Sequence, residues 1–262
     1  MKQTLLDLRH PHPHRVEVWL NRPKLRNAFN DELIAELTGV FKDINRNPEV
    51  RVVLLAAHGS VFCAGADLNW MRAMADYTWV QNRADAQKLA DMLWTLAQCP
   101  APIVGRLQGD CYGGGMGLAA LCDVLIASDN VQFCLSEARL GLMPATISPY
   151  VIRAMGEQAA RRYIVTAESF DAGQAKAMGL VHEVCTPQQL DTQVEAILAA
   201  LLANGPQAMR ACKRLVCDIA GQPISERLRA DTARRIANIR TSAEGREGVQ
   251  AFLSKRKPNW SS

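Results

Sequence analysis

The chain has 262 residues, 48% of them hydrophobic and 6% aromatic, and a formal net charge of +4. That composition suits a well-buried globule of one large domain or a core plus an appendage. No apolar run approaches ~18 residues, so no membrane span is predicted. The charge is uneven, with a net of −3 over residues 1–200 and +7 over residues 201–262, which suggests that the basic tail meets nucleic acid or an anionic ligand.

In chain order, the opening segment has no long apolar stretch, so no secretory signal is expected and a cytoplasmic protein is. His10, His12 and His14 alternate with prolines. They read as a solvated approach to the first strand, with metal binding as the alternative. Val16, Val18 and Leu20 alternate with polar residues and mark a half-buried strand, ended by Asn21-Arg22-Pro23. Asn30 is placed to cap a helix to about Asn45, with Leu33, Ile34, Leu37, Phe41 and Ile44 on one face. Val52-Val53-Leu54-Leu55-Ala56-Ala57 reads as a fully buried strand, followed by the small-residue turn Phe62-Cys63-Ala64-Gly65-Ala66-Asp67.

An amphipathic helix is predicted over 80–98, closed by Pro100 and Pro102, and then a strand Ile103-Val104-Gly105-Arg106-Leu107. A second small-residue turn, Tyr112-Gly113-Gly114-Gly115-Met116-Gly117, opens a helix to about Cys122. Asp123-Val124-Leu125-Ile126-Ala127 and Val131-Gln132-Phe133-Cys134 read as short strands. Helices dominate from Pro149, apart from a strand-like Leu180-Val181-His182-Glu183-Val184, and Pro206 and Pro223 look like first-turn prolines of two late helices. The reading is an α/β core over 1–200 and a helical section over 201–262, with no internal sequence repeat. The eight cysteines contain no Cys-x-x-Cys pair. They are expected to be small core residues in a reducing compartment, with no metal site.

The two turns carry the chemistry. Each lets backbone N–H groups face a ligand with no side chain between. Two such turns converging on one carbonyl oxygen would stabilise it as an enolate. A proton carrier is also needed, and Glu137, within apolar sequence, is the candidate. It is either paired structurally or has a raised pKa suited to proton transfer. Gly115-Met116-Gly117-Leu118-Ala119-Ala120 also fits the dinucleotide pattern G-x-G-x-x-A, but that leaves the first turn unexplained. No recognition motif accompanies the basic tail, so nucleic acid is not the expected partner.

Together the landmarks resemble the crotonase, or enoyl-CoA hydratase/isomerase, superfamily. They are Asn21-Arg22-Pro23-Lys24-Leu25-Arg26-Asn27-Ala28-Phe29, both small-residue turns, Cys122-Asp123, Ser136-Glu137, Ala177-Met178-Gly179-Leu180-Val181, and the run from Glu247 to Lys257. The resemblance implies a repeated ββα spiral core whose C-terminal helices build trimers, often paired into hexamers. It implies an oxyanion hole from the N–H groups of Ala66 and Gly114, with Glu137 handling the proton. It places coenzyme A near Lys24, Leu25, Ala64, Asp67 and Leu68, with Phe252 and Lys255 reaching over from a neighbouring subunit. No separate cofactor is implied, since coenzyme A is part of the substrate thioester.

Hydratases of the family typically carry two glutamates, and the position of the first is Gly117 here. That favours an isomerase using Glu137 alone. A narrower resemblance pulls back toward hydration. Gly65-Ala66-Asp67-Leu68-Asn69-Trp70-Met71, Arg139 to Val151, and Arg161-Arg162-Tyr163 are similar to bacterial methylglutaconyl-CoA hydratases of leucine breakdown. The expectation is therefore an enoyl-CoA hydratase acting on 3-methylglutaconyl-CoA or a related glutaconyl-CoA. The alternatives are a Δ3,Δ2-enoyl-CoA isomerase and a CoA-binding protein without catalysis. Gly117 is expected to leave an open volume beside the reacting carbon, for an ordered water or the substrate's distal carboxylate.

Overall fold

The computed structural model describes residues 4–261. β1 (Leu6–His12) and β2 (Arg15–Leu20) form an antiparallel hairpin. α1 (Asp31–Arg46) follows, capped by the Asn30 side chain, which accepts from the Leu33 N–H at 2.9 Å. Its buried face carries Leu33, Ile34, Leu37, Phe41 and Ile44, as the periodicity predicts. β3 (Val52–Ala57), α2 (Leu68–Ala75), α3 (Trp79–Ala97), β4 (Ile103–Leu107), β5 (Cys111–Tyr112) and α4 (Gly114–Ala120) come next. Then follow β6 (Val124–Ser128), β7 (Gln132–Cys134), α5 (Ser148–Met155), α6 (Glu157–Thr166), β8 (Phe170–Asp171), α7 (Ala172–Ala177) and β9 (Glu183–Cys185). Four helices close the chain: α8 (Leu190–Leu202), α9 (Pro206–Ile219), α10 (Glu226–Thr241) and α11 (Ala243–Leu253).

The larger sheet has the order β1-β2-β3-β4-β6-β9, parallel from β2 onward. β3 is apolar at every position because both its faces are covered. Val53, Leu55 and Ala57 face the main core, while Val52, Leu54 and Ala56 pack with Leu190, Val194 and Leu198 of α8. The smaller sheet pairs β5, β7 and β8. Single bridges from Phe29 to Ala66 and from Cys63 to Cys111 extend it. Each successive coil thus lays one strand in the larger sheet and a short extended stretch in the smaller one. This is the α/β spiral expected, and it is a structural repeat with no sequence repeat behind it.

Several expectations are corrected. His10 and His12 lie within β1, not in a loop before the first strand. β1 is an edge strand with one partner, so its outer face stays polar and Pro11 is tolerated there. Pro223 lies outside α10, which is capped instead by Ser225, accepting from the Leu228 N–H at 3.2 Å. The strand read over 180–184 starts only at Glu183, since Leu180 and Val181 turn into the main core. Pro206 does occupy the first turn of α9. That helix is tied to the sheet by Lys213, whose Nζ lies 2.6 Å from Asp123 Oδ2, and by Arg210, which donates to the Val50 carbonyl at 2.8 Å.

Candidate active site

The first turn is built on Asn27. This buried residue sits at φ +54°, a conformation asparagine tolerates better than most. Its side chain accepts from the Arg22 N–H at 2.9 Å and donates to the carbonyls of His58 and Val61, each at 2.8 Å. The 22–29 segment is then stitched to the turn by Ala64 N–H to Arg26 O (3.0 Å), Phe29 N–H to Gly65 O (2.7 Å) and Asp67 N–H to Phe29 O (2.8 Å). Asp67 caps α2, accepting from the Asn69 N–H at 2.8 Å, and pairs with the buried Arg22 guanidinium at 2.9 Å. Burial pushes the Asp67 carboxyl up, but the Asn69 N–H and Arg22 outweigh it and hold the group below its usual range.

The second turn lies against the first. The Tyr112 N–H donates to Cys63 O at 2.8 Å, and the Gly113 N–H to Cys134 O at 2.9 Å. Gly113 sits at φ +49°, and a Cβ there would come within 3.3 Å of Glu137 Oε1. A Cβ on Gly114 would meet the Phe29 ring at 2.8 Å. The glycines are required because the two turns and the Phe29 ring already fill this space. Among the described residues, the N–H groups of Ala66 and Gly114 donate to no acceptor.

Glu137 opens a 3₁₀ turn (Glu137–Leu140) just after β7. Its Oε2 is buried without a hydrogen-bond partner. Burial raises its pKa above the usual glutamate value, against a smaller pull from its own backbone N–H. A cavity of about 750 Å³ joins these parts; Ala64, Ala66, Leu68, Gly114 and Glu137 all line it. Lys24 and Leu25 lie outside the cavity wall, in an exposed 3₁₀ turn (Pro23–Leu25) linked to it through Arg26 and Ala64. Asp67 does not line it, because its carboxylate is taken up by Arg22 and the helix cap. Phe252 and Lys255 lie at the end of α11, away from this wall, with Phe252 82% exposed.

The expectation at Gly117 is overturned. No open volume adjoins it: a Cβ there would sit 2.5 Å from Ile147 Cγ2 and 3.3 Å from Leu93 Cδ2. Ile147, which lines the cavity, occupies the space a side chain from α4 would need. Motif reading assigned no site role to Asn82, Asp85 and Leu89 of α3 or to Ser136 and Thr146, although Ser136 and Thr146 lie in segments it quoted; all five line the cavity. A signal existed for Asp85. It falls on the helical stripe of Leu89, Met92, Leu93 and Leu96, where an acid is out of place.

A family model described as enoyl-CoA hydratase/isomerase matches residues 16–262. The chain belongs to the enoyl-CoA hydratase/isomerase family. The crystal structure of an enoyl-CoA hydratase from Shewanella pealeana superposes with a TM-score of 0.94 at 41% identity, over 99% of this chain and 97% of that one. Pseudomonas aeruginosa AtuE superposes with a TM-score of 0.94 at 34% identity, over 99% of this chain and all of that one. The mevalonyl-coenzyme A hydratase sidH of Aspergillus fumigatus is 31% identical, covering 95% of this chain and 92% of its own. Crotonase-type enzymes act on acyl-CoA thioesters and commonly form trimers or hexamers.

Proposed function

We propose that this protein adds water across the double bond of a 2-enoyl-CoA. The observation that carries it is the pair of unengaged N–H groups, Ala66 and Gly114, beside the buried, unpartnered Oε2 of Glu137 in one cavity. The thioester oxygen would accept from both N–H groups, which are fixed before any substrate arrives and so need no reorganisation. Glu137 then handles the proton at Cα, and burial, by raising its pKa, makes its carboxylate a stronger base than an exposed glutamate. Coenzyme A enters as part of the substrate, along Lys24, Leu25, Ala64 and Leu68, with Phe252 and Lys255 of a neighbouring copy completing the site of a trimer or hexamer.

For the acyl group we place 3-methylglutaconyl-CoA and related glutaconyl esters first, on the likeness of the 65–71, 139–151 and 161–163 segments. Among the described residues, no Lys, Arg or His lines the cavity. A second substrate carboxylate would therefore be received by hydrogen bonds from Asn82, Ser136 or Thr146. The Gly117–Ile147 contact favours a second reading, a Δ3,Δ2-enoyl-CoA isomerase, because no acid stands at position 117 to share the work of Glu137. Incubation with 2-enoyl-CoA and 3-enoyl-CoA esters, with products weighed by mass spectrometry, separates these. Hydration adds one water and isomerisation adds nothing. Binding without turnover on any ester would overturn both.

A further inference from the structure

Water addition takes a proton from the attacking water and delivers one to Cα, work that two acids can divide between them. The family's first glutamate is Gly117 here, and Ile147 closes the space around it. Besides Glu137, one other acid lines the cavity, Asp85 on α3. It is 8% exposed and lies in the buried stripe of that helix. Among the described residues, its side chain makes one hydrogen bond, accepting from Trp70 Nε1 at the long distance of 3.4 Å. A carboxyl group on an apolar stripe with so weak a partner is costly to bury. A merely structural link between α2 and α3 would be served as well by an amide. Asn82, one helical turn earlier, also lines the cavity; its amide donates one hydrogen to the Tyr77 carbonyl at 3.2 Å and keeps a second for a bound water.

We propose that Asp85 holds and activates the attacking water, the part that no residue of α4 can take. This rests on the hydratase reading. The proton of water passes to the Asp85 carboxylate as the oxygen–Cβ bond forms. The electron pair of the Cα–Cβ double bond moves onto the thioester oxygen, held by the N–H groups of Ala66 and Gly114. The enolate then takes a proton from the Glu137 carboxyl at Cα. Transfer of a proton from Asp85 to Glu137 through solvent restores both groups, so one water is added and nothing is oxidised or reduced.

The test compares two reactions of the full-length assembled protein. One is hydration of 2-enoyl-CoA esters. The other is exchange of the α-hydrogens of butyryl-CoA in D₂O, which needs Glu137 and the two turns but no attacking water. Asp85→Asn keeps an acceptor for Trp70. It is expected to lower hydration kcat by ~10²–10⁴, to leave KM within a few-fold, and to leave exchange unchanged. Asp85→Glu should recover part of the hydration, Trp70→Phe should keep it within about tenfold, and Glu137→Gln should lose both reactions. Hydration by Asp85→Asn at the parental rate overturns the assignment of Asp85 alone. So does a parallel fall of exchange and hydration, or a Trp70→Phe loss as large as that of Asp85→Asn. A parent that exchanges but hydrates no ester overturns the hydratase reading and this one with it.

Discussion

Glu137 owes its behaviour to what surrounds it. The absence of a side chain at Gly113 leaves room for the Glu137 carboxylate, whose Oε1 would lie 3.3 Å from a Cβ there, and its other oxygen is buried. Because burial lifts its pKa in the fold, the native state holds that proton more tightly than the unfolded chain. The resulting stabilisation is present below the ordinary glutamate value of 4.5 and is lost as pH rises through the raised one. Glu137→Gln should therefore melt with the parent at about pH 4 and above it at about pH 8. The same variant should lose ~10²–10⁴ in kcat with little change in CoA-ester affinity; near-full turnover would remove Glu137 from the chemistry. Gly114→Ala pushes a methyl group against the Phe29 ring and displaces the N–H. We expect a loss near that of one oxyanion donor, roughly 2.7–4 kcal/mol of transition-state stabilisation, read from kcat/KM. Both turns and Glu137 were legible because small residues and a lone acid stand out in apolar sequence. Asp85 showed only as an acid on an apolar stripe and Ile147 not at all, since nothing in one helix reveals which residue of another it will face.

At the scale of elements, the contact between α4 and the loop ending at Ile147 sets the shape of the cavity floor. Gly117→Ala should overpack it and cost about 1–3 kcal/mol in urea unfolding. Gly117→Glu should cost more rather than add a working base. Combining Gly117→Ala with Ile147→Ala should show favourable coupling of about 0.5–3 kcal/mol, because the alanine removes the Cγ2 in the way; strict additivity would refute the contact. α1 and β3 were readable from the sequence through a capping asparagine and a continuous apolar run. β8, two residues long, and β1, polar on its outward face, carry no such pattern. The smaller sheet was also hidden, because its pairings at Phe29, Cys63 and Ala66 are single bridges between turns.

For the whole molecule, the C-terminal helices pose the question of assembly. α10 buries no residue against its own chain, and Ile224, Val249, Phe252 and Leu253 stay exposed. Apolar surface of that extent calls for a partner. We expect a trimer or a pair of trimers by analytical ultracentrifugation at micromolar concentration, and a stable monomer would contradict it. Phe252→Ala should then weaken CoA-ester binding in the assembled protein. The spiral has one more consequence. The turns that carry the two unengaged N–H groups sit where successive coils cross the smaller sheet, joined to each other by backbone hydrogen bonds such as Tyr112 N–H to Cys63 O. The helix pair α2–α3 links those coils; α2 buries none of its residues, whereas α3 sets Met92, Leu93 and Leu96 into the main core. The two turns and the 68–91 part of the cavity wall are thus carried on different segments, and a transplant of residues 68–91 between relatives should leave the turns intact. Asp85 travels with that segment, so under the role proposed for it the graft should carry the choice of reaction along with part of the choice of substrate.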